Sequence, residues 1–181
     1  MKQRIEKILR HHKKRKITGH NLKASAVLIP IFRKEGRYYV LLTERSDDVV
    51  FHKGQVCFPG GTQEPSDSSL LQTALRESQE EIGLQVKDIE ILGELDDIIT
   101  FTSNYVISPF VALVPYPHSL RTNGREVKGT FSVPLSFLMD EANFKQDSYA
   151  YEYDDHIIWG ATARILRQFI DLLKSERGAL R

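Results

Sequence analysis

The amino-acid sequence predicts an α/β protein in which helices flank a mixed β-sheet. Most of the 181 residues lie in short apolar or alternating stretches with the length of strands. Only a few stretches have the periodicity of an amphipathic helix, so strands dominate and helices cover their faces. Because 41% of the residues are hydrophobic, the chain can build one domain with a full-sized core.

The composition excludes several classes of protein. A single cysteine cannot form an internal disulfide, which excludes a disulfide-stabilised secreted scaffold. No run of about 18 apolar residues is present, so the sequence contains no candidate membrane-spanning helix. The first residues are charged and lack the apolar region of a secretory signal. We therefore expect a cytoplasmic protein without a membrane partner.

The predicted elements follow one another without an internal repeat. Glu35-Gly36 provides a tight turn between two apolar stretches, which predicts a hairpin. Gly83 is a suitable C-cap for the helix that precedes it. The predicted strands cover 23–44 as a hairpin, 55–58, 87–94, 98–102, 105–114, 126–133 and 144–159 as a second hairpin, and the predicted helices cover 68–83, 134–142 and 161–175.

Charge is distributed unevenly along the chain, although the formal net charge is only +1. Residues 1–16 carry eight Lys/Arg and one Glu, whereas residues 17–181 carry 17 basic and 23 acidic groups. The basic segment could contact RNA, an acidic membrane surface or the acidic body of the protein itself. Because the rest of the chain is acidic, a nucleic-acid partner is not expected.

The basic segment also contains a narrow apolar stripe. Ile5, Ile8 and Leu9 have the spacing i, i+3, i+4, which predicts a helix docked on the rest of the protein. We therefore predict a basic helical segment over residues 1–20 and a single domain over residues 21–181.

Three carboxylates share one side of the predicted helix 68–83, because Glu77, Glu80 and Glu81 have the spacing i, i+3, i+4. They lie away from the apolar stripe, so we expect the side opposite the core to be acidic. Arg76 is one helical turn from Glu80 and can hold its carboxylate. Upstream, the turn Pro59-Gly60-Gly61 permits close approach of a ligand or metal. Carboxylate and backbone oxygens are the donors that Mg²⁺ and Mn²⁺ prefer.

The segment from Gly61 to Leu84 resembles a Nudix box, whose usual form is Gx5Ex7REUxEExGU with U apolar. Arg76-Glu77 and Glu80-Glu81-x-Gly83-Leu84 match its second half without a gap. The resemblance implies a Nudix-type α/β/α sandwich with a mixed sheet.

This box departs from the usual form at two places. The interval from Gly61 to Arg76 is one residue longer, so Asp67 or Glu64 replaces the first acidic residue. Ser78 occupies a position that is usually apolar.

Residues 41–61 resemble the motif LLTxRSx3Rx3Gx3FPGG, which precedes the box in coenzyme A pyrophosphatases. The longer box with an Asp at the position of Asp67, and the segment 158–163, are also similar to this branch of the family. Val50 stands where the branch has Arg. The matching residues of the motif are Leu41, Leu42, Thr43, Arg45, Ser46, Gly54 and Phe58-Pro59-Gly60-Gly61.

The resemblance implies hydrolysis of a nucleoside diphosphate linked to another group, with Mg²⁺ or Mn²⁺ as cofactor. For coenzyme A the products are 4′-phosphopantetheine and adenosine 3′,5′-bisphosphate. The general base is a glutamate of the box, Glu141 or Glu152. The implied catalytic residues are Arg76, Glu77 and Glu80, the metal ligands are Glu77, Glu80, Glu81 and the Gly60 carbonyl, and the substrate-binding residues are Arg45, Lys53, Gly54 and Gly61.

Two other hypotheses remain open. The first is a Nudix hydrolase for another nucleotide, such as ADP-ribose or a dinucleoside polyphosphate, and Val50 favours it. The second is a non-catalytic module that binds a nucleotide or RNA, against which the intact Arg76, Glu77, Glu80 and Glu81 argue. A monomer and a homodimer are both compatible with the sequence.

Three features outside the box receive structural interpretations. Cys57 lies in a short apolar strand and is expected to be buried. Trp159 is expected to pack the last helix onto the sheet. Asp96-Asp97, which follows Glu94, is interpreted as a polar turn, with a second acidic cluster near the metals as the alternative.

Overall fold

The computed structural model describes residues 1–19, 21–46, 54–100, 104–116 and 120–178, with the backbone alone for 176–178. The helices are α1 (Lys2–His11), α2 (Leu70–Ile82), α3 (Leu135–Met139) and α4 (Gly160–Gly178), and 3₁₀ turns occur at Val86–Asp88 and Glu141–Asn143. The strands are β1 (Lys23–Lys34), β2 (Arg37–Arg45), β3 (Val56–Cys57), β4 (Gly60–Thr62), β5 (Glu90–Glu94), β6 (Ile98–Ile99), β7 (Tyr105–Leu113), β8 (Val127–Pro134), β9 (Phe144–Lys145), β10 (Ala150–Tyr153) and β11 (His156–Ile158).

Strands β1 to β8 form a mixed sheet around β1. β1 and β2 form the predicted hairpin through Glu35 and Gly36, whose φ angles of 50° and 81° are both positive. On its other edge β1 pairs with β7 in parallel, beginning with Lys23 opposite Tyr105. β5 and β6 pair with β7, and β8 pairs with β2. The parallel pair of β1 and β7 makes the sheet mixed, as predicted.

Away from their turn, β1 and β2 separate, and residues 56–62 fill the gap between them. β3 pairs with β2, with Cys57 opposite Thr43, and β4 pairs with β1, with Gly61 opposite Ala26. The glycine-rich turn therefore lies within the sheet and not at its outer edge.

Helices cover both faces of this sheet, and each face has its own core. α2 packs on one face, and α1, α3 and α4 pack on the other. The α/β/α sandwich predicted from the resemblance is confirmed. The core on the α2 face includes Ala26, Leu28, Phe32, Leu41, Ala74, Ile82 and Phe110, and the core on the opposite face includes Ile5, Ile29, Ile31, Leu42, Val111, Leu166 and Phe169.

The basic N-terminal segment is docked on the sheet through its apolar stripe. Ile5 is fully buried, and Ile8 and Leu9 are 5% exposed. Leu9 lies against Gly93 of β5, where a Cβ atom would come within 2.6 Å of the Leu9 Cβ. The division at residue 20 stays a prediction, but α1 belongs to the same core as α4.

After α1, the basic chain follows the acidic turn at residues 94–97. Lys14 Nζ lies 2.8 Å from Glu94 Oε2 and 3.0 Å from Asp97 Oδ1, and it also covers the ring of Phe110. His12 Nε2 lies 2.8 Å from Asp96 Oδ1. The acidic turn is thus the partner of the basic segment, which supports its interpretation as a polar turn.

The C-terminal part differs from the expected pattern. Residues 144–159 form three short strands, β9 to β11, in a separate sheet instead of one hairpin. Trp159 directly precedes α4, and its carbonyl accepts a hydrogen bond from the Ala163 amide of α4 at 3.4 Å. Its side chain is 50% exposed, so the expectation that it packs α4 onto the sheet is wrong. Among the described residues, no helix is long and apolar enough to cross a bilayer.

Candidate active site

The helix α2 carries the predicted carboxylates and is capped at both ends. The Ser69 side chain accepts a hydrogen bond from the amide of Gln72, and Gly83 ends the helix in the left-handed conformation with φ 72°. These caps satisfy terminal backbone groups that would otherwise lack partners. They also fix the rotation of the helix, and with it the direction of its acidic side chains.

Two of the three carboxylates turn toward the sheet. Glu81 is 3% exposed, and the side chain of Glu77 is 14% exposed, whereas that of Glu80 is 57% exposed. The expectation that all three lie on the side opposite the core is therefore wrong. The helical spacing grouped the three carboxylates correctly. It did not show that α2 packs on the sheet with Glu77 and Glu81 turned inward and Glu80 turned to solvent.

The glycine pair of β4 allows this close approach. A Cβ on Gly61 would lie 2.3 Å from Glu77 Oε1, so any side chain there would displace the Glu77 carboxylate. The Gly60 amide donates to Glu81 Oε2 at 3.1 Å. Gly60 has φ 156°, and a Cβ there would lie 2.3 Å from the Ala26 carbonyl oxygen. Gly60 therefore requires glycine, whereas a side chain at Gly61 could be accommodated only by moving the Glu77 carboxylate.

Arg76 connects the carboxylates to the loop that precedes α2. Its Nη1 lies 2.9 Å from Glu77 Oε1 and 3.0 Å from Glu80 Oε2. The contact with Glu80 is the predicted ion pair between residues one helical turn apart. Its Nε and Nη2 donate to the two oxygens of Asp67 at 3.1 and 3.0 Å, and Nη2 also donates to the Thr62 carbonyl. Arg76 is thus held on several sides.

Asp67, one of the two candidates for the first acidic position of the box, faces Arg76. Arg76, with the backbone amide of Glu64 and the Thr73 hydroxyl, lowers the pKa of Asp67 to about 2. Its carboxylate is only 1% exposed. Glu64, the other candidate, is 59% exposed and lies 3.8 Å from Arg76 Nη1. Asp67 therefore positions the arginine and does not itself face the glycine turn.

Burial opposes the ionisation of the two inner glutamates. It raises the pKa of Glu81 to about 8, and the nearby charges of Glu77 and Glu126 add to the effect. The Gly60 amide and Arg45 act in the opposite direction. Burial also raises the pKa of Glu77, although Arg76 opposes that shift. The site is thus a concentration of negative charge that a cation would stabilise.

The end of β2 contributes Arg45 and Thr43 to the same face of the sheet. Arg45 attracts the Glu81 carboxylate, and its Nε is buried without a hydrogen-bond partner among the described residues. Cys57 Sγ lies 3.1 Å from Thr43 Oγ1, and burial raises the pKa of this thiol. Cys57 is half-buried and not fully buried as expected, while its raised pKa agrees with the expectation of an unreactive thiol.

Glu126 is a site residue that the sequence did not single out. The loop before β8 is attached to α2 by two backbone hydrogen bonds, from Arg121 to the Ile82 carbonyl and from Asn123 to the Glu81 carbonyl, both 3.0 Å. The Glu126 carbonyl accepts from the Ser46 amide at 2.8 Å. The Glu126 side chain is exposed, and its charge reaches both Glu77 and Glu81. No local motif marks it, because it lies far along the chain from the box.

The other candidates for a general base lie elsewhere. Glu141 forms ion pairs with Arg167 and Lys174 of α4, which lower its pKa to about 2, and it lies on the sheet face opposite α2. Because its ionised form is held by two cations, Glu141 does not fit the predicted role. Glu152 is exposed on β10, opposite Ile157 in the separate three-stranded sheet.

Residues 47–53 of the pre-box segment lie outside the described residues, and these include Val50 and the proposed substrate-binding Lys53. Gly54 is described and lies in a turn with φ 64°. The carbonyl of the next residue, Gln55, accepts a backbone hydrogen bond from the Arg45 amide at 3.0 Å. Gly54 therefore lies next to the end of β2 that carries Arg45.

The donor set suits a hard divalent cation, because Glu77, Glu80 and Glu81 offer carboxylate oxygens on one helix. Within the described ranges, no three acidic, histidine or cysteine side chains already converge as a complete metal cage. Glu80 points to solvent, and Gly60 meets Glu81 through its amide and not its carbonyl. A divalent cation would nevertheless stabilise the ionised forms of Glu77 and Glu81, which burial disfavours. The residues present therefore fit a divalent cation.

Comparison with known proteins assigns the family. The NUDIX domain family model matches residues 22–152. The chain belongs to the Nudix family. A relative named uncharacterized Nudix hydrolase NudL, from Photorhabdus laumondii, is 37% identical over 82% of this chain and 83% of the relative. A Yersinia enterocolitica protein of the same name is 38% identical over 80% of this chain and 78% of the relative.

Solved structures agree with the Nudix fold. A C. elegans Ap4A hydrolase has a TM-score of 0.59 at 17% identity, covering 85% of this chain and 99% of that chain. The Nudix domain of Shewanella oneidensis NrtR, solved with ADP ribose, has a TM-score of 0.59 at 18% identity, covering 88% and 90%. The chain is a Nudix pyrophosphohydrolase, and hydrolases of this family generally use divalent metal ions.

Substituting Gly61 tests the contact between β4 and α2. Gly61→Ala should displace the Glu77 carboxylate and reduce turnover by about 100-fold, because a displacement near 1 Å is enough for such a loss. Gly129→Ala is the matched control, since a Cβ on Gly129 meets nothing within 4 Å. Steady-state kinetics, with thermal denaturation to verify folding, measure the effect. Turnover of Gly61→Ala within twofold of the wild type would contradict this arrangement.

Burial of Glu81 should make the stability of the metal-free protein depend on pH. Because folding raises the pKa of Glu81 from 4.5 to about 8, its stabilising contribution is complete below about pH 4.5 and is lost as pH rises through about 8. Chemical denaturation in the presence of EDTA should therefore show that the free energy of unfolding falls by roughly a few kcal/mol between about pH 4.5 and pH 8.

Glu81→Gln should remove this fall, and the exposed Glu80→Gln is the matched control. If both variants kept the pH dependence of the wild type, another group would be its source.

Proposed function

We propose that this Nudix hydrolase cleaves the pyrophosphate bond of coenzyme A or its derivatives, giving 4′-phosphopantetheine and adenosine 3′,5′-bisphosphate. The observation that carries the proposal is the position of Arg45. This residue belongs to the motif shared with coenzyme A pyrophosphatases, and its charge acts on Glu81 in the candidate active site. The motif and the box thus supply one site, and a cationic group beside the carboxylates suits a pyrophosphate substrate.

The cofactor in this proposal is Mg²⁺ or Mn²⁺, held by the carboxylates of Glu77, Glu80 and Glu81 with a backbone oxygen of Gly60. When bound, such a cation neutralises phosphate oxygens and lowers the pKa of the attacking water. The ionised carboxylates hold the cation, and Arg76 orients Glu77 and Glu80 through its Nη1. Asp67 in turn fixes Arg76.

Arg45 would bind the substrate next to this cluster. Its buried Nε has no hydrogen-bond partner within the part of the chain that the structure describes, and a phosphate oxygen would be a suitable acceptor for it. Gly54 and Gly61 are the proposed backbone contacts, and Lys53, outside the fixed positions of the motif, could supply a second cation in place of the missing arginine. Because Val50 replaces the arginine of the branch, the phosphate at the 3′ position must be recognised by another group if coenzyme A is the substrate.

A substrate panel tests the proposal. Coenzyme A, dephospho-coenzyme A, ADP-ribose and diadenosine tetraphosphate are compared with Mg²⁺ and with Mn²⁺. Coenzyme A should exceed dephospho-coenzyme A in kcat/KM by about tenfold or more, which corresponds to about 1.4 kcal/mol for the 3′-phosphate. Glu81→Gln should lower turnover by about 100-fold or more, and the exposed Glu152→Gln should leave it unchanged. Preference for ADP-ribose or the dinucleotide would overturn the substrate assignment but keep the hydrolase.

Glu126 is our candidate for the general base. It is exposed, it approaches Glu77 and Glu81 from a separate loop, and it is not bound by a cation in the described part of the chain. A carboxylate in this position can accept the proton of the attacking water while the box glutamates hold the cation.

Glu126→Gln should lower kcat by about 100-fold or more with little change in KM, and the rate should then rise with pH because hydroxide replaces the lost base. The pH–rate profile at saturating metal measures this, with Glu152→Gln as the control. Recovery of kcat at high metal concentration would instead make Glu126 a metal ligand.

A further inference from the structure

A cavity lies far from the active-site carboxylates, where the β1–β2 turn, the start of α1 and α3 meet. Its volume is about 680 Å³. Three of its walls are apolar or aromatic, formed by Tyr38, Leu135 and Met139, which also pack against the core beneath α1 and α4. Cavities that bind small molecules measure about 300–1,000 Å³ and have mostly apolar walls. Its size and its walls therefore suit a small ligand with an apolar body.

The rim of this cavity is cationic. Arg33 and Arg37 line it, and both residues are exposed. Among the described residues, neither guanidinium forms an ion pair or hydrogen bond with an acidic side chain. The acidic residue at the rim is Asp140, whose carboxylate accepts from the Ala142 amide at 3.0 Å and so caps the following 3₁₀ turn. Positive charge therefore exceeds negative charge around the opening.

The cavity is separate from the active site in two respects. Arg33 lies on the order of 20 Å along β1 from the residue that pairs with Gly61, given about 3.3 Å per strand residue. Tyr38, Leu135 and Met139 belong to the core opposite the one that contains α2. A ligand in this cavity would therefore touch neither Glu77 nor Glu81.

We propose that this cavity binds a small amphipathic anion. The apolar body of the ligand packs against Tyr38, Leu135 and Met139, and its anionic end lies at the opening that Arg33 and Arg37 line. Guanidinium groups bind carboxylates and phosphates by paired hydrogen bonds, so an alkyl carboxylate and an alkyl phosphate share the required chemistry. The site does not depend on the substrate proposed for the active site.

Calorimetric titration with three probes tests the proposal. Octanoate and octyl phosphate should both bind the wild-type protein, and the tighter of the two identifies the preferred anionic group. Octylamine, which has the same chain and the opposite charge, should bind at least tenfold more weakly. Arg33→Ala combined with Arg37→Ala should weaken binding of both anions by at least tenfold. Lys13→Ala combined with Lys16→Ala removes the same charge from exposed residues outside the cavity and should leave binding unchanged.

A second variant tests the cavity without changing charge. Ser136 is exposed and lines the cavity, so Ser136→Trp should fill the space and abolish binding while the protein stays folded by circular dichroism. Equal binding of octanoate and octylamine would overturn the proposal, because the arginines would then make no contribution. Absence of anion binding at millimolar concentration, or undiminished binding in the double arginine variant, would also overturn it.

Discussion

The active site depends on the contact between the half-buried Glu77 and the buried Glu81 of α2 and the glycine pair of β4. Glu77 reaches the sheet because Gly61 has no Cβ atom, which would lie 2.3 Å from Glu77 Oε1. Gly60 instead allows β4 to lie close to β1, since a Cβ there would meet the Ala26 carbonyl oxygen. The approach costs solvation, since burial raises the pKa of both carboxylates. The Gly60 amide offsets part of this cost by donating to Glu81. The metal-free protein thus keeps an unfavourable arrangement of charge where a cation is useful, and the surrounding fold stabilises it.

Arg76 fixes the orientation of the Glu77 and Glu80 carboxylates. Asp67 takes the Nε and Nη2 of the guanidinium, so the Nη1 remains for Glu77 and Glu80. Because a guanidinium is planar, fixing one edge of it also fixes the other edge. The two glutamates are therefore oriented before any ligand arrives. Such preorganisation is what a site needs in order to stabilise charge that develops during a reaction.

The sequence predicted the fold class and the principal elements well, because they depend on local patterns. Hydrophobic periodicity and the caps at Ser69 and Gly83 define α2, and the turn at Glu35-Gly36 defines the first hairpin. The division of residues 144–159 into three strands escaped prediction, since β9 pairs with β10 as a third strand beside the predicted hairpin.

For the candidate site, sequence spacing grouped the carboxylates but could not orient them. Helical periodicity makes Glu77, Glu80 and Glu81 neighbours, yet which of them is buried depends on how α2 sits against β4. Glu126 joins them through a loop that α2 and β2 hold by backbone hydrogen bonds, and such contacts leave no trace in side-chain patterns.

The one-residue extension of the box has a physical explanation in the loop before α2. Asp67 accepts hydrogen bonds from the Glu64 amide and the Thr73 hydroxyl, and its own amide donates to the Glu64 carbonyl. The loop therefore closes on itself and brings the backbone near Arg76. An aspartate is one methylene shorter than a glutamate, so its carboxylate reaches the guanidinium only from backbone that lies this close. Of the two candidates for the first acidic position, Asp67 is therefore the one that accepts hydrogen bonds from Arg76, whereas Glu64 is exposed and 3.8 Å away.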